Sequence, residues 1–129
     1  MGNNFFQRIV FLISLSILLV LTFCNKKKKI ENFDSETWVA DEYGCSGERL
    51  DLMDEILKVK FKLRGKKMSE IEDILGKPEG IELYKRDQKY YIYYMEPNEN
   101  CQTSKDNPLK LYVRFSAVGI ANEFTVRTD

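Results

Sequence analysis

Leu109-Lys110-Leu111-Tyr112-Val113-Arg114-Phe115 alternates without a break. Leu109, Leu111, Val113 and Phe115 share one side of an extended chain, and Lys110, Tyr112 and Arg114 share the other. The segment therefore reads as a strand with one face on an apolar core. Ser116-Ala117-Val118-Gly119 turns the chain, and residues 120–127 return with Ile120, Phe124 and Val126 inward. Asn122 interrupts that inner set.

Toward the N terminus, period two holds back to Gly80. Ile81 to Lys85 is a predicted strand, Arg86-Asp87-Gln88 a short turn, and Lys89 to Met95 a second strand. A long polar loop, 96–108, carries Cys101. With Tyr90, Ile92 and Tyr94 inward, Tyr91 and Tyr93 face out beside Tyr112. With the reverse parity, Tyr90 and Tyr94 are the outward pair. Outward tyrosines are candidate partner-binding residues, because they bury area with little rotamer loss and keep a polar tip. Cross-strand aromatic pairing that only stabilises the sheet is the other reading. Tyr91, Tyr93 and Tyr112 are taken as the candidate set.

Before Gly80 the period is helical. From Glu48 to Val59, Leu50, Met53 and Leu57 follow i, i+3, i+7, with Leu52, Ile56 and Val59 beside them. Asp51, Asp54, Glu55 and Lys58 occupy the opposite arc, where acids are solvated surface rather than catalysts. Residues 57–63 also alternate as a strand would, so the helix end stays open until Gly65 stops the element. Ser69-Glu70-Ile71-Glu72 predicts a capping box, with Ser69 as cap and Glu72 reaching back. Gly76 and Pro78 end that short helix. Phe33 and Trp38, ahead of both helices, read as a strap onto the core. The expected fold is α+β, with two N-terminal helices packed on one face of a three- to four-stranded antiparallel meander.

The chain has 129 residues, room for one domain. Arg8 and Lys26 to Lys29 hold five of its 20 basic residues and none of its 20 acids. From Ile30 onward 15 basic residues therefore face 20 acidic ones, which argues against a nucleic-acid partner. The apolar run Ile9 to Phe23 suits a signal-peptide core and is short for a membrane span. Leu21-Thr22-Phe23-Cys24 resembles a lipobox, with Phe23 in place of the usual small residue. The expected organisation is a signal peptide over 1–23, a lipid-bearing Cys24 with a lysine-rich tether over 24–32, and a folded domain over 33–129. The rival is an uncleaved anchor over 4–24 with the domain in the cytoplasm, because the lysines follow the apolar run. Lys26 to Lys29 are either a solvated spacer or a contact to anionic headgroups.

Cys45 and Cys101 remain. In an exported domain two cysteines suggest a disulfide, and free buried thiols are the alternative. With no histidine in the chain, neither a zinc site nor an activated cysteine nucleophile is expected.

Leu63-Arg64-Gly65-Lys66-Lys67-Met68-Ser69-Glu70-Ile71-Glu72-Asp73-Ile74-Leu75-Gly76-Lys77-Pro78 resembles the signature of small bacterial lipoproteins of the SmpA/OmlA, or BamE-like, family. There Leu and Gly precede a short capped helix that ends Leu-Gly-x-Pro and leads into antiparallel strands. Phe33 to Trp38, with Asp41, Gly44-Cys45 and Arg49, is similar to lipoproteins in that broad group. The likeness spans 33–126. It implies an outer-membrane lipoprotein, periplasmic or surface-facing, whose relatives in the barrel-assembly machinery bind partner lipoproteins and the barrel itself. The same unit is similar to that of proteinaceous β-lactamase inhibitors. The cysteine pair and the long 96–108 loop depart from the assembly-factor pattern.

There is no glycine-rich phosphate loop and no Gly-x-Ser-x-Gly elbow. The expected function is a non-enzymatic protein-binding module in the cell envelope, without a cofactor or metal. It is held to the membrane by its N-terminal lipid and binds another envelope protein. An inhibitor-like or ligand-sequestering module is the alternative.

Overall fold

The computed structural model describes residues 3–20 and 29–129. The 1–23 leader boundary, the expected lipid site Cys24 and Lys26 to Lys28 lie outside the described residues. Helix α1, Asn3–Val20, has exposed side chains over residues 3–14. Among the described residues, no helix is long and apolar enough to cross a membrane.

Helix α2, Ser35–Ala40, starts at Asp34, whose carboxylate accepts from the Thr37 N–H at 3.1 Å and its hydroxyl at 2.7 Å. A 3-10 turn, Glu42–Gly44, and a short helix α3, Glu48–Asp51, follow. Then come α4, Met53–Leu63, and α5, Met68–Leu75. Strands β1, Gly80–Tyr84, β2, Gln88–Tyr94, β3, Lys110–Phe115, and β4, Ala121–Arg127, form an antiparallel meander in the order β1-β2-β3-β4. The fold is mixed α+β, and the strands lie within a residue or so of their predicted bounds.

Four helices, α2 to α5, precede the sheet where two are expected, and the two expected ones differ in their bounds. The predicted 48–59 helix divides at Leu52, which sits at φ −82°, ψ 4°, and then runs on to Leu63. Burial explains the extension: Ile56, Val59 and Leu63 form an i, i+3, i+7 stripe on the core. Phe61, which a strand through 57–63 would turn inward with Leu63, is exposed. Helix α5 begins at Met68 rather than after Ser69. The preceding chain is paired with the β3–β4 connection: the Met68 N–H donates to the Gly119 carbonyl at 3.1 Å, and Lys67 bridges Ile120. The cap therefore moves to Lys67, and Glu70 reaches back to the Lys67 N–H at 3.0 Å. A lysine side chain has no acceptor, so only that half of a capping box forms. Glu72 is left to serve the core.

That core lies on one sheet face. It joins the α4 stripe and Ile71, Ile74 and Leu75 of α5 to alternate residues of β2, β3 and β4. Phe33 and Trp38 belong to it, their rings 5.7 Å apart, and Trp38 is fully buried. The N-terminal arm is strapped down as the sequence suggests. Asn122 ceases to be an anomaly, because the β3–β4 register shifts there. Arg114 faces Glu123 while Phe115 faces Ala121. A β-bulge thus places Asn122 outside and returns buried Ala121 to the inner set.

Candidate binding surface

Strand β2 takes the reverse parity. Tyr91 stands opposite Val113 and Tyr93 opposite Leu111, all on the core side. Tyr91 is 3% exposed and Tyr93 0%, so neither is available to a partner. Their hydroxyls make this burial tolerable. Tyr91 donates to Glu72 at 2.7 Å and Tyr93 to the Gly76 carbonyl at 2.9 Å. Burial pushes both phenols well above their ordinary range, and the Glu72 carboxylate adds to the rise.

Tyr112 does lie on the opposite face, beside Tyr90, but at 2% exposure it is covered as well. The Arg127 guanidinium sits 4.1 Å from its ring centre, and its hydroxyl donates to Asp129 at 2.5 Å. The neighbours are equally engaged. Lys110 pairs with Asp129 and lies 5.2 Å from the Tyr94 ring centre, and Arg114 meets Glu123 at 2.7 Å. The far face is roofed by its own long side chains. None of the three tyrosine candidates forms an open surface.

Within the sheet, the exposed large apolar side chains are on β1. Ile81 and Leu83 point to the core side, opposite Tyr91 and Lys89, yet are 59% and 84% exposed. The edge strand lies beyond the helical cover. On the other face Tyr84 is exposed and meets Tyr90 edge-on at 5.3 Å. The outer edge of β1 pairs with no strand among the described residues. Exposed apolar side chains on both faces stand beside this edge, and backbone groups on such an edge are free to pair with another extended chain. The hairpin ends in Arg86 and Asp87, both at positive φ, 57° and 59°. The sequence signals the strand and not its place at the edge: Ile81 and Leu83 alternate where period two begins.

A second polar constellation is buried. The Arg49 guanidinium donates to the Trp38 carbonyl at 2.9 Å, to Glu79 at 2.8 Å and to the Tyr94 carbonyl at 3.1 Å. It also lies 5.2 Å from the Trp38 ring centre. Glu79 accepts further bonds from the N–H groups of Tyr94 and Tyr43. Asp41 accepts from the Ser46 N–H at 2.8 Å, the Ser46 hydroxyl at 2.7 Å and the Arg49 N–H at 2.9 Å. Burial raises the Asp41 carboxyl, but these donors and the Arg49 charge outweigh it and hold the carboxyl below its ordinary value. Gly44 has φ +65°, and a Cβ there would stand 2.7 Å from the Met95 carbonyl carbon. Cys45 and Cys101 are disulfide-bonded across 56 residues, with Cα atoms 5.4 Å apart, which ties the 96–108 loop to this region.

Arg49 and Glu79 border a cleft of about 350 Å³ with Val39, Tyr43 and Pro78. Arg49 Nε and Nη1 and both Glu79 carboxylate oxygens bond protein groups, so the pair clasps the N-terminal arm to the sheet. Asp51 and Asp54 are exposed. Among the described residues, no group of three or more potential ligands is placed to hold a metal ion. No family model, curated protein or solved structure matches the chain.

Proposed function

We propose that this chain is a lipid-anchored lipoprotein of a bacterial envelope whose α+β domain binds another protein and catalyses no reaction, in keeping with its BamE-like resemblance. The observation that carries the binding reading is the β1 edge, which has no strand partner among the described residues and exposes Ile81 and Leu83 on one face and Tyr84 on the other. The Cys45–Cys101 bond supports an oxidising compartment and so an exported domain. The acidic balance from Ile30 onward favours a protein over a nucleic acid.

The test is cross-linking capture from native membranes with the full-length chain. Leu83→Asp should lose a specific partner band, whereas Phe61→Asp, at an exposed apolar site away from the edge, should keep it. Equal recovery with both variants contradicts the reading. Intact mass of the membrane-extracted protein tests the anchor separately, since it reports leader removal, acyl chains and the disulfide together. An unprocessed chain with reduced thiols contradicts it.

A further inference from the structure

We infer that the β1 edge accepts an extended segment of a different chain that carries a basic residue between two apolar ones, and that Glu82 selects it. The inference rests on the binding reading above and names the partner's chemistry.

A second copy of this chain is the first occupant to weigh, because edge strands pair readily with themselves. A two-fold axis through a continuous sheet brings like faces together, so each residue meets one of the same parity. The register that keeps all of Gly80–Tyr84 paired is centred on Glu82. It matches Ile81 with Leu83 of the other copy and Gly80 with Tyr84. It also sets Glu82 directly against its own counterpart, and like charges opposed across strands are destabilising. Moving the centre to Leu83 relieves that clash but matches Ile81 with Lys85, a turn residue, and leaves Gly80 outside the strand pairing. Self-pairing therefore loses either charge balance or length.

A foreign strand has no such conflict. Two apolar residues would lie over Ile81 and Leu83, on the side the helices leave uncovered. The residue between them would project to the other face, opposite Glu82. Glu82 is exposed there and flanked along its own strand by Gly80 and Tyr84, with Tyr90 across from it on β2. A lysine or arginine in that position turns the repulsion into attraction and can stack on tyrosine. The same carboxylate thus disfavours the homodimer and favours a basic strand.

The probe is a short synthetic peptide of alternating valine and threonine with one central lysine flanked by valines, compared with the same peptide carrying a central glutamate. Binding to the detergent-solubilised full chain is followed by fluorescence anisotropy and by hydrogen exchange of the β1 amides. The lysine peptide should bind about fivefold tighter than the glutamate peptide and slow exchange in β1. Glu82→Lys, at an exposed site, should reverse the preference. Leu83→Asp should weaken both peptides. If Leu83→Asp weakens both but Glu82→Lys leaves their ratio unchanged, the edge binds strands and the charge selection is wrong. If Leu83→Asp has no effect on either, the edge is not the binding surface and both readings fall. A concentration-dependent dimer in sedimentation that Leu83→Asp dissolves would assign the edge to a second copy instead.

Discussion

The Arg49–Glu79 clasp and the β1 edge are built on opposite terms. In the clasp, charged groups lie inside the protein and their polar atoms are turned to protein partners. On the edge, apolar side chains lie outside and the backbone has no strand beside it among the described residues. Partnered charge in the interior is a structural device, expensive to break and of little use to a ligand. Unpartnered apolar surface contributes little to the fold and is the natural place for association. The two regions should respond to substitution in opposite ways.

The largest loss is expected in the clasp. Arg49→Leu leaves the Glu79 carboxylate buried without its cation, which should cost about 3–5 kcal/mol in a denaturant titration. Binding through the edge should be unchanged in whatever fraction remains folded. Replacing Cys45 and Cys101 together by serine should cost about 2–4 kcal/mol, since a 56-residue separation is a long loop to release. A loss as large at the edge, or none in the clasp, would erase the contrast.

Asp41 sharpens it through pH. Its carboxyl is held below its ordinary value in the folded state by the Ser46 and Arg49 donors. Its contribution is therefore complete above the unfolded value and is lost as pH falls from there through the lower folded value. Asp41→Asn turns an amide donor toward the Ser46 or Arg49 N–H. It should cost about 1–3 kcal/mol at neutral pH and make the acid limb of the stability curve shallower. An acid limb identical to the parent's would show that the bonds seen here do not govern that titration.

Smaller effects are expected on the hairpin. Asp87→Gly relieves a left-handed residue and should stabilise by about 0.5–1 kcal/mol. Leu83→Asp should change stability by no more than about 0.5 kcal/mol while removing partner capture. If Leu83→Asp unfolds the domain, Leu83 belongs to the core and the comparison fails.

The division between the regions was only partly legible in the sequence. The β3 alternation, the hairpin and the α5 stop at Gly76 all read correctly, because each is a local pattern with a local cause. The parity of β2 did not read, since Tyr90-Tyr91-Ile92-Tyr93-Tyr94 offers apolar bulk at every position. What separates the two sets is whether a distant group meets each hydroxyl, and Glu72 and the Gly76 carbonyl do so for Tyr91 and Tyr93. Met95, next in the 91–93–95 series and fully buried, was the available clue. The capping box misled for a related reason. Glu70 and Glu72 both sit within reach of a helix start, and pairing of the Lys67 region with the β3–β4 connection decides between them. Asp41, Gly44, Cys45 and Arg49 stood out by resemblance, but the Arg49 partner Glu79 is 30 residues away and carries no local signal. The edge was legible as a strand and not as an edge, because strand order is a property of the whole sheet.

The most direct test places a photocrosslinking amino acid at position 83 of the full-length protein in its native membrane, with position 61 as the control. Illumination should yield one discrete heavier species from position 83 and none from position 61. No adduct from position 83, or the same diffuse products from both, would contradict a binding surface on the outer edge of β1.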